Sequence, residues 1–252
     1  MAIESYRAAE MQLASEARSE QYPGIEIVIS VMRKIAGLGS VDFTKLEELS
    51  LDAIQKNSKG NLQYLFESLV QDVERIDRKL GEFESAGRAE RDALNELISE
   101  AVARAAEAKS KDRVRRVARI LANSLRSGPK QNYEKERELI DTAVQVADFD
   151  ASILGVMMTY QGPMVKRVGA VNVNDANKTW EKMSEENKEF KSPRIQVACA
   201  RLQAQGLIIR MDRVSAKLDL VASPYSLTEF GVRFCEWCLV EAETSAVDYR
   251  SR

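Results

Sequence analysis

Residues 192–231 constrain the fold more tightly than any other stretch of this chain. A helical pattern begins at Ser192-Pro193 and ends at Gln205-Gly206, because glycine is a frequent helix stop. Strand-like residues follow at 207–211 and 218–222, separated by a polar turn at 212–217. The stretch then runs through Leu227-Thr228 into another helical pattern. This order predicts a short helix, a two-stranded ribbon and a closing helix.

Composition favours helix in the rest of the chain. Aromatic residues make up 6% of the 252 residues, whereas Ala, Leu, Glu, Arg and Lys are plentiful. This length can hold two modest domains. We predict a mainly α protein with a helical domain at 1–147 and an α+β domain at 148–252, where Asp148 and Asp150 are placed to cap a new helix.

The clearest periodicity in the helical region covers residues 62–83. Its apolar residues alternate between spacings of four and three, which is typical of a helix that packs along another helix. The seam comprises Leu62, Phe66, Leu69, Val73, Ile76, Leu80 and Phe83. Packing within one helical bundle is the favoured interpretation, and self-association through this seam is the alternative.

Further helices are predicted from apolar spacing and helix stops. The first domain has them at 88–108, 110–126 and 133–147. In the second domain, a helix at 151–160 is expected to end at Gln161-Gly162-Pro163. A short strand or extended segment follows at 165–173, and another helix at 175–190.

The helix at 194–205 has the side chains of a DNA recognition helix. Its apolar face carries Ile195, Ala198, Cys199 and Leu202, and its opposite face carries Arg194, Gln196, Arg201 and Gln203. Arginine can pair bidentately with guanine and glutamine with adenine. We expect these four residues to enter a major groove and Arg210, Arg213 and Lys217 to hold phosphates. The alternative is a surface helix made polar for solubility.

Local charge agrees with a phosphate-facing surface. Between Lys191 and Arg233 there are seven cations and three acids, whereas the whole chain has a net charge of −2. Any attraction to nucleic acid must therefore come from a local patch such as this one rather than from overall charge.

Two motifs in this region carry a family resemblance. Leu202-Gln203-Ala204-Gln205-Gly206-Leu207-Ile208 and Tyr225-Ser226-Leu227-Thr228-Glu229-Phe230-Gly231 resemble winged-helix transcription regulators. In those proteins a helix ends in Leu-x-x-x-Gly-Leu-Ile and a later strand leads into Leu-Thr-x-x-Gly. The resemblance covers about a third of the chain and implies a winged-helix-like fold with DNA as the partner. The segment 161–174 is longer than the usual link between the first two helices.

A second resemblance covers residues 22–158. Tyr22-Pro23-Gly24, the heptad helix and the run Lys111-Asp112-Arg113-Val114-Arg115-Arg116 are similar to helical proteins that are widespread in bacteria. Some of those proteins are associated with abortive-infection phage defence. The group offers no established active site, so no catalytic residue follows from the resemblance.

A basic run in the helical domain is a second candidate surface. It comprises Arg104, Lys109, Lys111, Arg113, Arg115, Arg116, Arg119, Arg126 and Lys130. Lys109, Arg113 and Arg116 fall on one helical stripe, which could bind nucleic acid, acidic lipid or an acidic partner. Pairing with neighbouring acids such as Glu90, Glu96 and Glu100 is the favoured interpretation.

The residues of catalytic and metal sites are sparse. The chain has no histidine, which excludes His-based general bases and Ser-His or Cys-His pairs. Cys235-x-x-Cys238 has no second cysteine pair to complete a zinc site, so a buried core position is favoured. We find no phosphate-binding loop, dinucleotide motif or nucleophile elbow. The chain is predicted to be no enzyme and to need no cofactor or metal.

Localisation follows from the same composition. The apolar window at 25–38 contains Glu26, Arg33 and Lys34 and is too short to span a bilayer. An odd number of cysteines without a secretory signal favours reduced thiols in the cytoplasm. The leading hypothesis is a cytoplasmic, non-enzymatic DNA-binding regulator. The alternative is a protein-interaction or oligomerisation module whose winged helix docks protein, with a role in phage defence.

Overall fold

The computed structural model describes residues 59–70, 82–83, 85–169, 172–211 and 224–239. Within these ranges the protein is mainly helical with one two-stranded antiparallel sheet, which confirms the prediction of a mainly helical chain. The chain divides into two compact units between Ile140 and Asp141. The sequence predicted the boundary at 147–148.

The described part of the first unit is built from helices that pack through apolar residues. Helix α1 covers Lys59–Val70, α2 covers Arg88–Glu107 and α3 covers Lys111–Arg126, while α4 (Glu134–Gln145) crosses the division between the units. Helix α1 packs against α2 and α3, and α2 packs against α3. The predicted inward residues of α2 and α3 are buried, including Leu94, Leu97, Val117 and Leu121.

The heptad prediction is described only in part. Leu69 and Phe83 of the predicted seam are buried, and so is Leu65. Val73, Ile76 and Leu80 lie outside the described residues. Burial of Leu65 and Leu69 accompanies the packing of α1 within the first unit. Self-association through this segment stays a prediction.

The described part of the second unit contains four α-helices, besides the end of α4, and a small sheet. Helix α5 covers Asp148–Val168 and α6 covers Val173–Glu186. A 3-10 turn at Lys188–Lys191 leads to α7 (Arg194–Ala204). Strand β1 (Ile208–Arg210), strand β2 (Tyr225–Leu227) and helix α8 (Glu229–Cys238) complete the unit. The core is formed where α5 packs against α6, α7, β2 and α8.

Helix α5 continues where the sequence predicted its end. The expected stop at Gln161-Gly162-Pro163 is wrong, because the helix passes through Pro163 and ends at Val168, with Gly169 as its C-cap at a φ of +76°. Proline inside a helix costs about 3 kcal/mol. Packing of α5 on four elements of its unit offsets that cost. Residues 165–168 are therefore helical rather than extended.

The starts of α5 and α6 also differ from the sequence prediction. Asp148 and Asp150 do not cap α5, since Ala147 is the N-cap and both aspartates lie in the first turn. Helix α6 begins at Val173, where the Asn172 side chain accepts a hydrogen bond from the Asp175 backbone N–H at 3.0 Å. The helix predicted at 175–190 is thus an α-helix from 173 to 186 followed by a 3-10 turn.

The ribbon is described in part. Strand β1 confirms the strand expected at 207–211, and it pairs with Tyr225–Leu227. The strand predicted at 218–222 stays a prediction. Residues 212–223 lie outside the described residues. In the register, Ile208 is opposite Leu227 and Arg210 is opposite Tyr225.

The second edge of β2 is completed by a side chain of α5. Gln161 is fully buried. Its Nε2 donates a hydrogen bond to the Tyr225 carbonyl oxygen at 3.0 Å, and its Oε1 accepts one from the Leu227 backbone N–H at 3.0 Å. Buried backbone groups need such partners. The side-chain amide of Gln161 therefore makes the two hydrogen bonds that a neighbouring strand would make with this edge of β2.

The Leu-Thr-x-x-Gly motif forms the junction between the sheet and α8. The Thr228 hydroxyl donates to the Gly206 carbonyl oxygen at 2.7 Å and accepts from the Gly231 backbone N–H at 2.9 Å. A Cβ atom at Gly231 would lie 2.0 Å from the Leu207 carbonyl oxygen. The motif is thus explained by chain packing, and its residues support a fold rather than a particular partner.

Candidate nucleic-acid interface

Helix α7 is half buried along its length. Ile195, Ala198, Cys199 and Leu202 face the core, as the sequence predicted. Arg194, Gln196, Arg201 and Gln203 are exposed. The helix ends at Ala204, and Gly206 reverses the chain into β1 with a φ of +71°. The structure thus brings four of the seven predicted contact residues to one exposed helix.

Arg201 is bound to an acid of α5. Its Nε donates to Asp150 Oδ2 at 2.8 Å and its Nη2 donates to Asp150 Oδ1 at 2.6 Å. The Asp150 side chain is 1% exposed, whereas that of Arg201 is 49% exposed. The hydrogen bonds to Asp150 raise the pKa of Arg201 above its ordinary value. The positive charge of Arg201 is therefore largely balanced within the protein.

Arg194 also lies against the start of α5. The centre of its guanidinium is 4.6 Å from the centroid of the Phe149 ring, within the range of a cation–π contact. Arg194 and Arg201 are seven residues apart and share one flank of α7. Sequence spacing could not reveal Phe149 or Asp150 as partners, because Asp150 is 51 residues from Arg201.

The most outward part of α7 is apolar. With 100° of rotation per residue, Val197, Ala200 and Ala204 lie within about 30° of the direction opposite the buried face. All three are exposed, and the Val197 side chain is among the two large apolar side chains with high exposure in the described residues, at 56%. We call these three residues the α7 ridge. Gln196 and Gln203 lie on one side of it, and Arg194 and Arg201 on the other.

The remaining predicted phosphate contacts are described in part. Arg210 is exposed at the end of β1, whereas Arg213 and Lys217 lie outside the described residues. Residues 187–211 contain five cations and one acid, Glu189. Arg201 is paired with Asp150, and the other cations of this segment are Lys188, Lys191, Arg194 and Arg210, so by sequence the segment around α7 has an excess of positive charge.

The three cysteines are core residues. Cys199, Cys235 and Cys238 are buried and unpaired with one another, which confirms the interpretation of Cys235-x-x-Cys238. Burial, together with the nearby charge of Asp150, raises the pKa of the Cys199 thiol to about 12. Burial also raises the pKa of Cys235 to about 12, and its thiol lies 3.7 Å from the Leu154 carbonyl oxygen. Such thiols are protonated and poorly nucleophilic.

The basic run of the first unit is not a continuous exposed stripe. Arg116 is buried, which interrupts the predicted line of Lys109, Arg113 and Arg116. Arg115 donates to the Tyr64 hydroxyl and pairs with Asp112 at 3.1 Å. Lys130 pairs with Glu136 at 2.7 Å.

Two of the acids expected to balance that run have another partner. Glu96 and Glu100 pair with Arg137 of α4. The predicted mechanism of compensation is therefore wrong for these two acids. Arg115 and Lys130 are nevertheless engaged by groups of their own unit, so this surface is a weaker nucleic-acid candidate than α7.

Comparison of this chain with known protein families, curated proteins and solved structures gives no match. The described residues hold no cluster of three or more metal-ligating side chains. No helix in the described ranges is both long enough and apolar enough to cross a bilayer.

Proposed function

We propose that the second unit is a winged-helix-like domain that binds DNA without catalysing a reaction. The observation that carries this proposal is the exposure of α7. The helix buries a single apolar face, leaves the opposite face, with the α7 ridge between polar flanks, open and is followed at once by an antiparallel ribbon. Three helices, a ribbon and a closing helix are the elements that a winged-helix domain requires, and a helix exposed in this way can enter a major groove.

The exposed residues have distinct roles in this proposal. Gln196 and Gln203 contact base edges, and Arg194 enters the groove from the Phe149 side. Arg210, Arg213 and Lys217 hold phosphates at the ribbon. Arg201 stays bound to Asp150 and positions α7 against α5, reaching DNA only with the outer side of its guanidinium.

The proposal is tested with the full-length protein and a fluorescent duplex. We expect the double reversal Arg194→Glu and Arg210→Glu to weaken binding at least tenfold, because one cation in the groove and one at the phosphates become acids that the phosphate charge repels. Lys135→Glu is the control, since Lys135 is exposed on α4 in the other unit. Equal affinity of the two variants, with both folded by circular dichroism, would contradict the proposal.

A second candidate function is docking of protein on the same helix. It is favoured by the α7 ridge, which has no polar side chain, and by the balanced charge of Arg201. Small and apolar residues allow close approach of another helix. This candidate predicts concentration-dependent association of the protein and binding that is insensitive to salt, whereas DNA binding weakens steeply as salt rises.

A further inference from the structure

The α7 ridge has a chemistry that suits one kind of base pair. Val197 is 56% exposed, and Ala200 and Ala204 extend its line along the helix. None of these side chains can donate or accept a hydrogen bond. The feature of a major groove that such a surface can contact favourably is the 5-methyl group of thymine.

We infer that α7 selects A·T base pairs and that Val197 is the residue that reads the thymine methyl. This inference rests on the proposed DNA-binding function. Every A·T pair presents a thymine methyl beside the adenine N6 and N7 in the major groove. Gln196 and Gln203 are exposed along one side of the ridge, and glutamine is the side chain that pairs bidentately with adenine.

The guanidinium of Arg201, on the other side of the ridge, is held by α5. Arg201 donates its Nε hydrogen and one Nη2 hydrogen to the two oxygens of Asp150, so the donors left to it are those of its outer edge, Nη1 and the second Nη2 hydrogen. Because Asp150 is buried, release of Arg201 would leave an unpaired carboxylate in the core, which is strongly unfavourable. Selection of A·T pairs therefore rests on the ridge and the two glutamines, and tighter binding to G·C pairs is the result that contact of this outer edge with guanine would give.

The charge around the ridge selects DNA over a protein partner for this surface. Lys188, Lys191, Arg194 and Arg210 are exposed near the two ends of α7, and Glu189 is the acid of that segment. Cations at both ends with an apolar centre complement a groove whose walls are phosphates and whose floor carries methyl groups. A helix of a partner protein would need acids at both ends to fit as well.

The test compares three duplexes of about 24 base pairs: one of A·T pairs only, the same duplex with deoxyuridine in place of every thymidine, and one of G·C pairs only. Deoxyuridine removes the methyl group and keeps the hydrogen-bonding edges. We expect the wild-type protein to prefer the A·T duplex to both others. The loss on deoxyuridine should be about fourfold for each methyl contacted, as expected for burial of one carbon.

Two variants assign the preference to Val197. Val197→Ser should abolish the difference between thymine and uracil duplexes while it retains binding to the uracil duplex. Ile209→Ser is the matched control, because Ile209 is also an exposed large apolar residue, at 52%, and lies on β1 rather than on α7. The control should keep the wild-type ratio.

The outcomes separate this inference from the proposed function. Equal affinity of the wild type for the thymine and uracil duplexes would overturn the role of Val197 and leave DNA binding intact. Tighter binding to G·C pairs would overturn the selection of A·T pairs. Failure to bind any of the three duplexes at low salt, with the protein folded, would overturn the proposed function itself. A thymine preference that Ile209→Ser removes and Val197→Ser does not would also contradict the assignment.

Discussion

Arg201 of α7 and Asp150 of α5 are joined by two hydrogen bonds, although 51 residues separate them in the chain. The aspartate is almost fully buried and the arginine is half exposed. Arg201, which the sequence predicts to contact a base, therefore also joins two helices. Because Arg201 both pairs with Asp150 and carries an exposed charge, the stability of the second unit and the positive charge of α7 depend on the same residue.

Asp150→Asn should weaken the hydrogen-bonded pair with Arg201 and leave the positive charge of Arg201 unbalanced. Loss of a charge-assisted hydrogen-bonded pair is expected to lower the free energy of unfolding by about 1–3 kcal/mol. DNA binding should become tighter, and the slope of log affinity against log salt should steepen by about one charge. Asp148→Asn removes the same charge from the same turn and serves as control. Identical salt slopes for the two variants would show that Asp150 does not restrain Arg201.

Gln161→Ala should destabilise the second unit strongly. It leaves the buried Leu227 N–H and the Tyr225 carbonyl without their side-chain partner. Each unsatisfied buried group costs about 1–3 kcal/mol, so a loss of about 2–6 kcal/mol is expected in urea denaturation. Gln203→Ala is the matched control, since Gln203 is exposed and its loss should stay within about 0.5 kcal/mol. Comparable losses for both variants would refute the role of Gln161.

Gly231→Ala should also destabilise the protein, through a steric clash. The added Cβ would lie 2.0 Å from a backbone oxygen that cannot move without the strand. Overpacking of this kind costs about 1–3 kcal/mol. Gly155→Ala is the opposite case, because Gly155 lies inside α5 with open space around its Cβ position. That change should stabilise the protein by about 0.5–1 kcal/mol. Thermal unfolding that ranks the variants in the reverse order would contradict this packing.

The buried thiols should make the protein less stable in alkali. The folded pKa of Cys199 and Cys235 is about 12, above the ordinary value of 9.0, so the unfolded chain loses these protons first as pH rises. The stabilisation that these protonated thiols contribute to the folded protein is complete below pH 9.0 and declines between pH 9.0 and 12. At pH 10 the loss is about 1 kcal/mol per thiol relative to pH 8. The double variant Cys199→Ala and Cys235→Ala should lose stability less steeply as pH rises. A loss as steep as that of the wild type would show that other groups cause it.

Local patterns predicted the helices better than they predicted the contacts between them. Apolar spacing identified the buried face of α7, and Gly206 marked its end correctly. Pro163 predicted a helix end that the structure does not have, because the packing of α5 on four elements outweighs the local cost of proline. The pairing of β1 with Tyr225–Leu227 was not predicted, because this short strand is held by Gln161 and by the Thr228 junction, which lie far apart in the sequence.

In the candidate interface, too, local features could be predicted and contacts between helices could not. Its exposed residues could be predicted from the period of the helix. The pairing of Arg201 with Asp150 and the stacking of Arg194 on Phe149 could not, because both depend on how α5 and α7 pack. Val197 lies on the most outward line of α7, and helical geometry alone could have identified it as part of the interface.

The salt dependence of DNA binding tests the central claim most directly. Full-length protein is titrated into a labelled duplex at several salt concentrations, and log affinity is plotted against log salt. Four to six phosphate contacts from Lys188, Lys191, Arg194, Arg210, Arg213 and Lys217 predict a slope of about −4 to −5. A slope near zero, or no retention of DNA at low salt, would contradict a phosphate-contacting α7.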